Sequence, residues 1–265
     1  MNIHFLSGLP RSGSTLLGSI LSQNPIISTG ISTPLAEICS AALRTMSSAE
    51  RAQVITDEQR GAILTGIITN YYSHLGHTVT AIDKNREWCQ MLPALARLYP
   101  QSKVICCIRN PAWILDSIER LTQNNSLLQS KMFPPDINDV YQRAEYLFKT
   151  GLIGSSMRAL RQAWFSENAD RLVAVPYEAL VASPERVLGR LYDALGWPPF
   201  AHRFDGLSHD EPEFDGRLFM PGLHKIRDRI DNVARRTILP PEIFAQYNME
   251  FWNGSEDNPR NVLIV

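Results

Sequence analysis

The chain has 265 residues, 44% hydrophobic and 20% charged, so it is long enough to bury a sizeable core and too apolar for wholesale disorder. Its 26 basic and 27 acidic residues leave a net charge of −1, which gives no general attraction for nucleic acid or another polyanion. No run approaches the roughly 18 apolar residues of a membrane span, and the N-terminus lacks the basic region and long apolar stretch of a secretory signal, so a cytoplasmic location is expected. Cys39, Cys89, Cys106 and Cys107 form no C-x-x-C pair and have no nearby histidine ligand set, so no chemistry is assigned to them.

The first predicted element is a short apolar strand, Ile3 to Leu6. It runs through Ser7-Gly8-Leu9-Pro10-Arg11-Ser12-Gly13-Ser14-Thr15 into a helical run, Leu16 to Leu21. Strand, glycine-bearing loop and helix start together make a cradle for a phosphate-like dianion, because the first amides of a helix are unpaired and its dipole is positive there. Gly8 and Gly13 permit close backbone approach, and Ser12, Ser14 and Thr15 add hydroxyl donors. The glycines have Walker A spacing, but Ser14 stands where a nucleotide triphosphatase needs lysine, and Arg11 is the only cation in the loop. Such a loop suits a 5′-phosphosulfate better than a β,γ-phosphate carrying Mg²⁺.

Further along, Thr33 and Pro34 open a helix from Leu35 to about Met46, and Asp57 to His74 reads as an amphipathic helix. Thr78 to Ile82 is a β-branched strand ending at Asp83-Lys84. Residues 86–99 read as helical, with Pro93 starting or kinking the final turns. Lys103 to Ile108 is the third strand, Pro111 opens a helix over 112–122, and a helical zone over 139–167 divides near Gly151 and Gly154. Leu172 to Val175 is the fourth strand. A helix from Tyr177 to Leu195 ends at Gly196, a polar, turn-rich stretch reaches Met220, and a last helix spans about 241–247.

Nearly continuous apolar strands alternating with helices predict an α/β fold of P-loop type, three layers with a parallel sheet flanked by helices, formed as one domain over 1–265. Ligands of such sheets bind beyond the carboxyl ends of the strands, and there stand Arg11, Lys84, Arg109 and Tyr177.

With the loop, Asp83-Lys84-Asn85, Leu98-Tyr99-Pro100-Gln101-Ser102-Lys103-Val104, Arg109-Asn110-Pro111 and Ser117 complete a pattern that resembles the sulfotransferases that use 3′-phosphoadenosine 5′-phosphosulfate (PAPS). The bacterial members and the tyrosylprotein sulfotransferases are the most similar, and Tyr177-Glu178-Ala179-Leu180, Pro184-Glu185 and Gly222-Leu223-His224-Lys225 look like later landmarks of that group. The resemblance implies that Arg11, Ser12, Gly13, Ser14 and Thr15 hold the 5′-phosphosulfate and that Arg109 and Ser117 grip the 3′-phosphate. Ser117, eight residues on, lies about two helical turns from Arg109 on the same side. It also places Lys84 at the leaving-group oxygen, Tyr177 beside the nucleotide and Lys225 in a loop over the 3′-phosphate, with adenosine 3′,5′-bisphosphate (PAP) as product.

The acceptor hydroxyl (or amine) needs a general base. Tyrosylprotein sulfotransferases place a glutamate about twenty residues after the loop arginine. Here that stretch is Thr29-Gly30-Ile31-Ser32-Thr33, with no carboxylate. Glu37 is the expected base, with His209 and Asp210 as rivals. Expected partners are a small-molecule or peptide acceptor, without nucleic acid or membrane span, and a homodimer is left open. Asp83 after an apolar strand imitates a Walker B acid, which keeps a P-loop kinase or NTPase as one alternative. A non-catalytic nucleotide-binding protein of the same fold is the other.

Overall fold

A computed structural model describes residues 2–230, 235–253 and 258–265. Its six-stranded sheet has the order β2-β3-β1-β4-β5-β6, with every neighbouring pair parallel. The four predicted strands are β1 (Asn2–Gly8), β3 (Thr80–Lys84), β4 (Val104–Ile108) and β5 (Leu172–Pro176). The two added edge strands, β2 (Ile27–Thr29) and β6 (Leu263–Ile264), have three and two residues, too few for a hydrophobic period to show. β3 begins later than predicted and runs on through Asp83 and Lys84, so Lys84 is paired in register with Leu6.

The strands alternate between two cores, as a doubly covered sheet requires. Phe5, Cys106 and Ile108 face one layer with Trp88 and Trp164, whereas Leu6, Ile105 and Cys107 face the other with Leu17, Ile20 and Leu191. Helices contributing to the first core are α2 (Leu35–Met46), α3 (Asp57–Tyr71), α4 (Leu92–Leu98), α5 (Pro111–Asn124), α6 (Val140–Lys149), α7 (Leu152–Trp164) and α11 (Pro241–Tyr247). Behind the sheet lie α1 (Ser14–Leu21), α8 (Tyr177–Ala182) and α9 (Pro184–Leu195).

Helix breaks fall where the backbone demands them. Between α6 and α7, a side chain on Gly151 would stand 2.9 Å from the Tyr146 carbonyl and one on Gly154 1.8 Å from that of Phe148, so the two helices meet only through glycine. The helix expected over 86–99 is a 3₁₀ turn, Arg86–Cys89, followed by α4, with Pro93 in its first turn. The helix expected from Tyr177 to Leu195 is divided, because Pro184 has no amide to donate and turns Ser183 out of helical geometry (φ −149°, ψ 65°). In the polar stretch after Gly196 there is a short helix, α10 (Pro212–Arg217), carrying one buried side chain, Asp215. Among the described residues, no helix is long and apolar enough to cross a membrane.

Candidate active site

The carboxyl ends of β1, β3, β4 and β5 open into one cavity of about 1080 Å³. At its floor, β1 ends against β4: a side chain on Gly8 (φ 109°) would meet the Cys107 carbonyl oxygen at 2.2 Å, and the next amide, Leu9, donates to that same oxygen at 2.8 Å. Only glycine fits this approach. Arg11 is left-handed (φ 54°), as is Gly13 (φ 92°), whose missing side chain would stand 2.8 Å from the Tyr177 ring. The first bond of α1 runs from the Leu17 amide to the Gly13 carbonyl, 2.8 Å. That helix has no side-chain cap and no acid in its first turn, and Ser14, Thr15 and Leu16 line the cavity. A helix start of this kind favours an anion.

Cations converge on it from separate strands. Lys84, buried at the end of β3, donates to Thr15 Oγ1 at 3.0 Å, and burial lowers its pKa to about 8. Arg11 donates through Nε to Ser117 Oγ at 3.2 Å and through Nη1 to the Leu223 carbonyl. Burial, then the neighbouring Arg109, lowers the Arg11 pKa. Arg109 lies 4.1 Å over the Tyr177 ring and donates to the Arg11 carbonyl at 3.3 Å and to Glu178 at 3.2 Å. Arg235 joins from the chain before α11, held 2.9 Å from the buried carboxylate of Asp116. Like charges held this close repel, and a bound dianion relieves the repulsion.

Over the cavity folds a flap. Three backbone bonds pair its two arms: Ile230 to Phe204 (3.0 Å), Leu207 to Asp228 (2.6 Å) and Ile226 to His209 (3.2 Å). Between the arms, the wholly buried Asp215 of α10 accepts from the His224 backbone amide at 2.9 Å and meets His224 Nδ1 at 2.6 Å. A carboxylate only accepts, so Nδ1 carries the proton, and in the neutral ring Nε2 keeps its lone pair. His224 lines the cavity directly after Leu223, whose carbonyl Arg11 holds. Burial lowers its pKa against the pull of Asp215, with the positive charges of Lys84 and Arg11 adding to the lowering.

A sulfotransferase family model matches residues 4–202. The chain belongs to the sulfotransferase family. Nodulation protein NoeE of Sinorhizobium fredii (strain NBRC 101917 / NGR234) is 26% identical over 228 residues, covering 79% of this chain. The match covers 53% of NoeE, so the chain spans about half the length of that relative. The sulfotransferase domain of the Synechococcus PCC 7002 olefin synthase superimposes with a TM-score of 0.51 at 22% identity, covering 94% of this chain and 93% of that domain. A sulfotransferase from Alicyclobacillus acidocaldarius gives a TM-score of 0.51 at 13% identity, covering 82% and 89% of the two chains. These structural likenesses establish the fold.

In this family member the cavity wall contains Arg11, Gly13, Ser14, Thr15, Lys84, Arg109, Ser117, Tyr177 and Lys225, all expected from the sequence. Ser12 is placed otherwise: its hydroxyl turns inward to the carbonyls of Leu9 and Cys107 and braces the loop from beneath. Glu37 lies outside the wall, exposed on α2, with its carboxylate accepting from Asn85 at 2.7 Å. His209 sits in a separate recess beside Thr15 and Gly18, 3.5 Å from Glu211, and Asp210 is exposed. Asp83 is wholly buried and accepts from Thr33 (2.7 Å), Tyr72 (2.6 Å) and Trp88 (2.7 Å). It anchors the chain beside Lys84 and does not face the loop as a Walker B acid would. The base-competent pair His224 and Asp215, and the cations Arg86 and Arg235, escaped the sequence reading. The available signal was a histidine nine residues after an aspartate, with His224 inside a tetrapeptide read only as a family landmark.

Proposed function

We propose that the protein transfers the sulfuryl group of PAPS to a hydroxyl acceptor, with residues 1–265 acting as one catalytic unit. The observation that carries this reading is the convergence of an uncapped helix start, Arg11, Lys84 and Arg109 on one cavity, from three strand ends set by parallel register. The loop amides and Arg11 serve the 5′-phosphosulfate, and Arg109, Ser117, Arg235 and Lys225 serve the 3′-phosphate. Tyr177 stacks under Arg109 and walls the nucleotide.

Lys84 serves the leaving group. Negative charge grows on the bridging oxygen as the S–O bond breaks, and a buried ammonium aimed there stabilises the transition state more than the ground state. The bond from Lys84 to Thr15 fixes its direction. On the acceptor side, His224 Nε2 takes the hydroxyl proton while Asp215 holds the ring in the required tautomer and steadies the imidazolium. The acceptor oxygen attacks sulfur, the bond to the bridging oxygen breaks in line, and PAP leaves. Fixed cations and amides supply the charge neutralisation.

The test uses the PAP product first. PAP raises the melting temperature in the absence of Mg²⁺, and sulfated product appears by mass spectrometry when PAPS and a panel of hydroxyl acceptors are supplied. A folded protein that PAP leaves unshifted sinks the reading, and Mg²⁺-dependent stabilisation by ATP would favour a kinase.

A further inference from the structure

The cations of the cavity sit at the strand ends and on the flap, and the rest of its wall is of another kind. Among the described residues, no charged side chain lines the cavity between Arg109 and Tyr177. That stretch supplies Ile118 from α5, Met132 from the chain before α6, Tyr146 from α6 and Leu152 from α7, and Ile31 joins them from the chain after β2. Ile118 belongs to the first core, with Met132 and Leu152 packed against it, whereas the flap packs against the second core through Phe204, Ile226 and Ile230. An apolar lobe on the first-core face thus lies apart from the basic flap.

The lobe continues to the surface. Phe214 of α10 and Leu218 just after it line the cavity, and Phe214 is also exposed. The next residue, Phe219, is exposed on a left-handed backbone (φ 52°), a conformation that disfavours a bulky side chain. Its neighbours hold it there. The Lys131 amide donates to the Leu218 carbonyl at 3.0 Å, the Met220 amide donates to the Asp215 carbonyl at 3.0 Å, and the Lys131 ammonium lies 4.5 Å over the Phe219 ring.

A second tie runs from Asn125 Nδ2 to the Pro221 carbonyl, 3.2 Å. Between Asn125 and Lys131 the chain carries Leu127, 98% exposed, and Leu128, also exposed. Leu127, Leu128 and Phe219 are therefore held in water beside Met132 and Leu218 of the cavity wall. Apolar side chains grouped at the mouth of a cavity mark a surface that a ligand or partner covers. An apolar chain leaving the lobe would cover these three.

We propose that the acceptor is an uncharged alcohol with a long apolar chain. Its hydroxyl reaches His224, its chain fills the lobe of Ile31, Met132, Tyr146 and Leu152, and its far end runs over Phe219, Leu127 and Leu128. This names the acceptor class of the sulfotransferase reading and rests on that reading. The alcohol oxygen forms the new S–O bond and its proton passes to His224 Nε2. PAP leaves with the electron pair of the bond to the bridging oxygen, and the product is an alkyl sulfate. A sugar in the same lobe would set polar groups against an apolar wall.

The experiment supplies the full chain with PAPS and a series of 1-alkanols from butanol to decanol, with glucose as a polar hydroxyl control. Alkyl sulfate formation, followed by mass spectrometry, rises in kcat/KM by about fourfold per added methylene and exceeds sulfation of glucose. The triple variant Leu127→Ser, Leu128→Ser, Phe219→Asn loses the gain from the longest members and keeps the PAP-induced rise in melting temperature. Two of its positions are exposed leucines, and asparagine is tolerated in the left-handed region, so the variant is expected to fold. A flat series in the native protein, or a preference for glucose, overturns the apolar acceptor while leaving donor binding intact. An unchanged slope in the variant overturns the path over the rim, and accompanying loss of self-association or of binding to phosphatidylcholine vesicles would give the rim to a second copy or to a membrane surface. No shift from PAP itself overturns the sulfotransferase reading and this proposal with it.

Discussion

The strand ends and the flap build one cavity in different ways. Lys84 and Arg109 are held by the parallel register of β1, β3 and β4, so their positions follow from the sheet that the whole core stabilises. His224 is held by three backbone bonds between the flap arms, by Asp215, and by the grip of Arg11 on the Leu223 carbonyl. The family match, residues 4–202, stops before the flap begins. On the proposed reading the sheet positions the donor-binding cations, and acceptor activation falls to the flap, which is tied to the rest of the molecule through the Leu218, Pro221 and Leu223 carbonyls.

That division is broken most directly at His224. His224→Ala is expected to lower kcat by about 10²–10⁴, the usual contribution of a general base, with the PAP-induced shift in melting temperature retained. Loss of PAP binding together with kcat would mean that the flap serves the donor instead. Asp215→Asn is expected to lower kcat less, since the imidazole remains but its tautomer is no longer dictated.

Arg109→Ala tests the sheet side. Losing a bidentate-capable cation that stands over Tyr177 is expected to cost about 1.5–3 kcal/mol of PAP affinity, roughly ten- to 150-fold in Kd. Titration calorimetry measures it. An unchanged Kd would place the 3′-phosphate elsewhere and remove the strand-end argument.

The pH profile reads both regions at once. Burial sets Lys84 at about 8, below its ordinary value, so the free protein loses the ammonium as pH rises through about 8. Activity as kcat/KM therefore falls on the alkaline side, about tenfold per pH unit beyond that point, and PAP binding near pH 8 takes up protons as the bound anion restores the charge. On the acid side, a neutral His224 is required, and its pKa lies below the ordinary histidine value. Activity accordingly persists below pH 6.5 before the acid limb sets in. Folding stability has its own sign. Because the folded state binds the Lys84 proton less tightly than the unfolded chain, this residue's contribution improves as pH rises from about 8 toward its ordinary value.

The sequence disclosed the donor half because each of its features is local. A glycine pair at fixed spacing, a strand-end lysine and a strand-end arginine need only the parallel sheet to bring them together, and apolar runs predict that sheet. β2 and β6 were invisible because a two- or three-residue edge strand has no period of its own. The proposed base was hidden for a different reason. Asp215 and His224 are joined by a tertiary fold-back of polar chain, where neither alternation nor helical spacing marks which side chain is buried. Glu37 was the nearest carboxylate after the loop and in an amphipathic helix, but it lies outside the cavity wall on the face of α2 that meets Asn85.

The smallest effect, and the sharpest test of this contrast, is expected at Glu37. Its carboxylate accepts one bond from Asn85, and Asn85 also donates to the Thr33 carbonyl at 2.7 Å, next to the Ile31 and Ser32 wall. Glu37→Gln keeps an acceptor of the same shape, so the Asn85 bond survives and the acceptor wall keeps its place. The expected change in kcat is less than about threefold, within the range of an exposed substitution that disturbs no network. A kcat loss approaching that of His224→Ala would return the base to α2 and reduce the flap to a cover over the donor.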